Sequence, residues 1–143
     1  MSGKLGTRNI LQVAFVVHDI VATTKKYCEF FDMPDPGYIV TGPFDETNTH
    51  FRGEPTKSRA KLAFFNMDNI VIELIEPDEH PSTWREWLDQ NGEGFHHLAF
   101  VVDNFDEKVA TLTKAGIPAI HLGNGYGYMD TVKDLKFLTE LLS

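Results

Sequence analysis

A single cysteine, Cys28, occurs among 143 residues, so no intrachain disulfide can form. Such cysteine usage fits a reducing, cytoplasmic setting. Positive charge is scarce as well: 13 Lys and Arg stand against 21 Asp and Glu, a formal net charge of −8. That balance argues against nucleic-acid partners, whose phosphates need a basic surface. A few local cations would still suffice for a small anion. No apolar run approaches the ~20 residues that a membrane span requires, and Met1–Ile10 is too polar for a signal peptide. Membrane partners are therefore not expected. Low-complexity tracts and long linkers are also missing, which favours one domain over residues 8–143. What is present is 42% hydrophobic and 12% aromatic sequence, enough for a packed interior.

The first strong pattern is Ile10–Val17, rich in β-branched and aromatic residues and of strand length. Asp19 then suits the cap of a helix over Ile20–Phe31, with Ile20, Thr24, Tyr27, Cys28 and Phe31 spaced to face the core. The Met33–Gly37 stretch, with two prolines, ends that element, and a short strand is expected at Tyr38–Thr41. Gly42–Ser58 reads as a long loop, a length that is often functional. A hairpin of Ala60–Phe65 and Ile70–Glu76 follows, and Ser82 caps a helix over Thr83–Asn91.

From Phe95 the opening pattern returns. Residues 97–105, HLAFVVDNF, overlay residues 12–20, QVAFVVHDI, without a gap. A helix over Phe105–Ala115 closed by Gly116 is expected, then strands at Ala119–Leu122, Tyr126–Asp130 and Leu135–Leu142. The chain thus divides into a module at about 8–80, a linking helix at 82–91 and a second module at about 94–143.

Side chains alternate across a strand. Gln12, Ala14 and Val16 share one face, while the bulkier set Val13, Phe15 and Val17 should pack under the helix. In the repeat, His97, Ala99 and Val101 oppose Leu98, Phe100 and Val102, so Gln12 and His97 fall at equivalent cavity-facing positions. Two carboxylates, Glu73 and Glu140, interrupt otherwise apolar strands near the end of each module. A buried carboxylate needs a partner or a metal, although either Glu could instead face outward on an edge strand.

These strings, together with Ile72–Pro77 (IELIEP), Gly92–Phe100 (GEGFHHLAF) and Leu138–Leu141 (LTEL), resemble the vicinal oxygen chelate superfamily. That group includes glyoxalase I, methylmalonyl-CoA epimerase, extradiol dioxygenases and bleomycin-resistance proteins. The resemblance spans about Ile10 to Leu142. It implies an α+β fold in which two βαβββ modules curl a mixed sheet around a metal-binding cavity, usually within a homodimer. It also implies the metal ligands Gln12, Glu73, His97 and Glu140, a set similar to that of zinc-type glyoxalase I. Mixed nitrogen and oxygen ligands suit a divalent Zn, Ni, Co or Mn ion. By the same resemblance Glu140 doubles as a catalytic base with Glu73 as its partner, moving a proton beside a carbonyl of a small oxo acid or acyl thioester.

The resemblance is mixed in its details. Glyoxalase I has Arg where this chain has Val16 and Glu93, which counts against glutathione. IELIEP and the stretch around His97 look more like the epimerase, but the glycine-rich segment of residues 121–127 is shorter. A non-catalytic bleomycin-resistance-like binding protein is the alternative, and an iron dioxygenase is disfavoured because Gln12 replaces one of its two histidines. Arg52, Lys57, Arg59 and Lys61 are expected as exposed charge, with phosphate or carboxylate binding the sharper option. His96 should point to the strand face opposite His97, and His18, His50, His80 and His121 should be solvated in turns or loops. Cys28 reads as core, and Tyr126 and Tyr128 as either cavity lining or packing.

Overall fold

Asp19 is where the first strand stops and the first helix starts. In the computed structural model, which describes residues 3–143, β1 (Gln12–Val16) leads into α1 (Ile20–Phe31). Asp19 is extended, and its carboxylate accepts the Ala22 N–H at 3.0 Å, satisfying one of the donors a helix start leaves open. The first two positions of Met1–Ile10 lie outside the described residues. Among those described, no helix is long and apolar enough to cross a membrane.

After α1 come β2 (Ile39–Val40), α2 (Phe44–Thr47), β3 (His50–Phe51), β4 (Glu54–Pro55), β5 (Ala60–Asn66) and β6 (Val71–Pro77). The expected Gly42–Ser58 loop is therefore not structureless. Its β3 pairs antiparallel with a strand of the other half, setting His50 opposite Leu122 and Phe51 opposite His121. Two-residue strands carry no periodicity, so only this distant partner defines them.

The second half follows as α3 (Thr83–Asn91), β7 (Gly94–Val101), α4 (Phe105–Lys114), β8 (Ala119–Gly123), β9 (Tyr126–Met129), α5 (Val132–Leu135) and β10 (Leu138–Leu142). Helix α3 has the expected limits, and the Ser82 hydroxyl accepts the Arg85 N–H. The strand expected at Leu135–Leu142 begins only at Leu138. Residues 132–135 form a helical turn that Lys136 ends with a left-handed φ of 72°.

The ten strands of the described residues form one curled sheet in the order β2-β5-β6-β1-β7-β10-β9-β8-β3-β4. At its centre β1 and β7 run antiparallel, and each has a parallel outer neighbour, β6 or β10. On the cavity side, Ala14 and Val16 pack with Trp84, Leu88, Ile120 and Tyr128. On the other side, Phe15 and Val17 meet Ile20 and Tyr27 of α1, while Leu98, Phe100 and Val102 meet Leu112 of α4. The alternation expected from the sequence thus matches the faces observed for these residues, whereas Val101, expected on the cavity face, is 51% exposed. Cys28 packs in the α1 layer, but Phe31, expected in the core, stays 41% exposed at the helix end.

Candidate metal centre

The register of the four central strands explains how the polar groups meet. One row across the sheet runs Gln12, Ala99, Glu140 on β1, β7 and β10. The next runs Glu73, Ala14, His97 on β6, β1 and β7. Ala14 and Ala99 are both fully buried, and their single methyl groups leave room between the longer side chains. His97 Nε2 lies 3.0 Å from Glu140 Oε1 and 3.5 Å from Glu73 Oε1. The nearest ligand atoms of this trio all lie within 4.8 Å of one another, and Gln12 lines the same cavity as both carboxylates.

Both glutamates are buried, at 6% and 5% exposure, and His97 is completely so. Among the described residues, Glu73 Oε1 and His97 Nε2 have no hydrogen-bond partner. Leaving such atoms unpaired in the interior is costly. Burial holds the Glu73 carboxyl well above its ordinary range, with the Glu140 charge adding to it. Burial pushes Glu140 up to about 8, against the opposing hydrogen bond from Tyr128. Burial also brings His97 down to about 3. His97 is thus neutral, and its contacts to the carboxylates are not ion pairs. A neutral imidazole and two carboxylates facing one another with unpaired atoms are a donor set that a divalent cation fits.

His96 departs from the sequence-based expectation. Ala14 pairs with His97 but Phe15 pairs with Phe95, so His96 is the extra residue of a β-bulge. The bulge turns its ring inward instead of to the opposite face. His96 Nδ1 lies 2.7 Å from His97 Nδ1, and its Nε2 lies 3.3 Å from Thr83 Oγ1. Two proton arrangements satisfy this chain. If His97 Nε2 is a ligand, His97 Nδ1–H donates to His96, and His96 Nε2–H donates to Thr83. In the reverse arrangement Thr83 donates to His96, which donates to His97.

His121, expected in solvent, is fully buried on β8. Its Nδ1 accepts the Thr83 backbone N–H, so its Nε2–H is left to donate to the Tyr126 hydroxyl at 3.3 Å. Tyr126 in turn contacts Thr49 Oγ1 at 2.8 Å. Tyr128 accepts the Trp84 indole N–H at 2.9 Å and bonds to Glu140. His18 is exposed as expected, whereas His50 and His80 are half-buried, His50 within β3. Tyr126, Tyr128 and Trp84 line a cavity of about 430 Å³ beside Gln12, Glu73 and Glu140. Sequence reasoning left Trp84, Thr83, His96 and His121 out of the site, since only the folded sheet brings α3 and β8 to it.

The family model of the Glyoxalase/Bleomycin resistance protein/Dioxygenase superfamily matches residues 11–131. The chain belongs to this superfamily. Its fold is similar to that of methylmalonyl-CoA epimerase from Mycobacterium tuberculosis, with a TM-score of 0.64 at 20% identity, covering 99% of this chain and 90% of that one. A Streptomyces coelicolor methylmalonyl-CoA epimerase variant in complex with 2-nitronate-propionyl-CoA also scores 0.64, at 24% identity, covering 95% and 93%. At these identities the likeness concerns the fold. Among curated proteins, the uncharacterized protein YqjC of Bacillus subtilis (strain 168) is 30% identical over 64 residues, which are 45% of this chain and 46% of that protein. The match therefore spans about half of that relative. Within the superfamily fold, the polar cluster of this chain lies on the concave face of the sheet, where β6, β1, β7 and β10 meet.

Proposed function

We propose that the protein is a metal-dependent isomerase or lyase that moves a proton on the carbon beside a carbonyl of a small substrate. Gln12, Glu73, His97 and Glu140 hold the ion in this reading, and Zn, Ni, Co and Mn all suit their mixed oxygen and nitrogen donors. The observation that carries it is the pair of buried, unpartnered atoms, His97 Nε2 and Glu73 Oε1, aimed at a shared point with Glu140. A divalent ion bound there would supply Lewis-acid polarisation of the carbonyl.

The chain's own residues do the rest. Glu73 comes from β6 and Glu140 from β10, on either side of the central β1–β7 pair. A substrate carbon between them would meet one carboxylate from each side, as proton removal and return require. Glu140 is the base, steadied by Tyr128, and Glu73 is its partner. Leu62, Phe64 and Trp84 give the cavity an apolar wall. One domain over residues 8–143, built of the modules at about 8–80 and 94–143 with the helix at 82–91 between them, belongs to the same proposal, supported by the continuous sheet. So does a cytoplasmic homodimer without nucleic-acid or membrane partners, supported by the acidic balance and by exposed apolar residues such as Phe30 and Ile39.

The test is metal analysis followed by solvent deuterium exchange. Metal uptake that is lost in Glu73→Gln and His97→Ala, with metal-dependent exchange into a carbonyl compound, is the expected result. Undiminished uptake by both variants would place the metal elsewhere. A non-catalytic binding protein is the competing reading, favoured by the apolar wall, and predicts ligand binding without exchange. An iron dioxygenase fits less well, because Gln12 stands where such a site needs its second histidine, and the nearer nitrogen of the neighbouring His96 is engaged with His97.

A further inference from the structure

The lining of the cavity restricts the charge of what it can hold. Among its described lining residues there is no Lys, Arg or His, while Glu73 and Glu140 both face it. None of the cations that sequence reasoning offered for an anion lines the cavity. Arg52 makes a bidentate contact with Glu86, and Lys61 pairs with Glu76 at 3.3 Å. Arg59 gives its Nε–H to the carbonyl of Thr41 at the cavity rim, and Lys57 is exposed.

Several neutral donors are committed too. The Trp84 indole donates to Tyr128, and the Asn124 amide donates to the Glu46 carbonyl. Tyr126 receives the His121 Nε2–H, which directs its own proton to Thr49. Tyr128 turns its proton to Glu140. A carboxylate or phosphate entering this space would meet no cationic side chain and two glutamates, with the Gln12 amide left to receive it, a costly way to bury an anion.

We infer that the cavity selects an uncharged small carbonyl compound with an apolar or aromatic body, and rejects carboxylates and the phosphate-bearing arm of an acyl thioester. This rests on the metal reading above in one respect: two ionised glutamates neutralise a divalent ion, so an anionic ligand would leave the buried site with net negative charge. Leu62, Phe64 and Trp84 supply the surface for the body, and 430 Å³ accommodates a molecule of one ring and a short chain.

The experiment compares two probes of matched size by calorimetric titration, 2-hydroxyacetophenone and phenylglyoxylate, with propionyl-CoA as a third. Each is titrated into zinc-loaded and metal-free protein near neutral pH. The expected result is binding of the neutral ketone at least about tenfold tighter than either anion. Leu62→Lys, checked for folding by circular dichroism, should narrow or reverse that ratio. Equal or tighter binding of phenylglyoxylate or propionyl-CoA, or no binding of any probe by protein that has taken up zinc, overturns the inference. Anion binding abolished by Arg59→Gln would overturn it too, by identifying Arg59 as an anchor. If no zinc is taken up, the metal reading falls separately. The wall is unchanged in that case, so preference for the ketone still upholds the inference and its absence overturns it.

Discussion

The two halves of the molecule share a strand-to-helix opening, yet they treat the cavity differently. The first half contributes Gln12, Glu73 and a wall of Leu62 and Phe64, and Glu73 Oε1 reaches the cavity with no hydrogen bond. The second half contributes His97 and Glu140 already tied into a network: His96 and Thr83 behind the imidazole, Tyr128 and Trp84 behind the carboxylate. A side chain backed by partners is fixed before a ligand arrives, whereas one without them adjusts to it. The first half shapes the space, and the second half holds its polar groups in place.

Substitutions that break the second-half network should therefore have the largest effects. His97→Ala removes a proposed ligand and leaves His96 Nδ1 unpaired, so calorimetry should show a loss of zinc affinity exceeding the ~10–100-fold typical of outer partners. His96→Ala should itself fall within that ~10–100-fold range, while Phe64→Leu in the first half leaves zinc affinity within about twofold. If Phe64→Leu weakens zinc as much as His96→Ala does, the division between the halves fails.

Tyr128→Phe sharpens the comparison by smaller steps. It strands the Trp84 indole N–H, which should cost about 1–3 kcal/mol in denaturant unfolding. It also removes the hydrogen bond that lowers the Glu140 pKa, so zinc binding should require higher pH than in the parent protein.

Without metal, the two kinds of buried group set opposite pH limits. Glu140 is raised from 4.5 to about 8, so the folded state binds the proton more tightly and stability falls as pH rises through that interval. His97 and His121 are lowered from 6.5 to about 3, so stability falls as pH drops from 6.5 towards 3. Melting temperature should peak between these limits, near pH ~6, and zinc should move the peak upward because it binds the ionised carboxylates. An unchanged peak with bound zinc would show that the ion does not engage Glu140.

The smallest effect separates the two helix starts. Asp19 caps α1 with its side chain, whereas Asn104 precedes α4 in a left-handed conformation, φ 53°, with no side-chain bond. Asp19→Ala should cost about 1 kcal/mol and Asn104→Gly no more than a few tenths. Equal losses would mean that the caps do not differ in the way their hydrogen bonds indicate.

Most of the fold was legible because its signals are local. Asp19 and Ser82 mark helix starts beside the residues they cap, and the Gln12–Ile20 and His97–Phe105 strings align by themselves. Strand alternation and the repeat singled out Gln12 and His97, whereas Glu73 and Glu140 joined them through the superfamily resemblance, since their strands alone also allowed an outward orientation. What was not legible depends on distant partners. His96 turns inward through a bulge against β1, and His121 is buried by Trp84 and Tyr128. Strand β3 exists because β8 lies beside it, and Val132–Leu135 forms a turn within a stretch whose apolar residues also suit a strand.

Anomalous-difference crystallography of zinc-soaked crystals addresses the metal site directly. A second group, Asp78, Glu79 and His80, offers a rival location on the partly exposed segment after β6. The expected result is one dominant peak about 2.0–2.1 Å from His97 Nε2, bordered by Gln12, Glu73 and Glu140. A dominant peak at His80, or none beside His97, would contradict it.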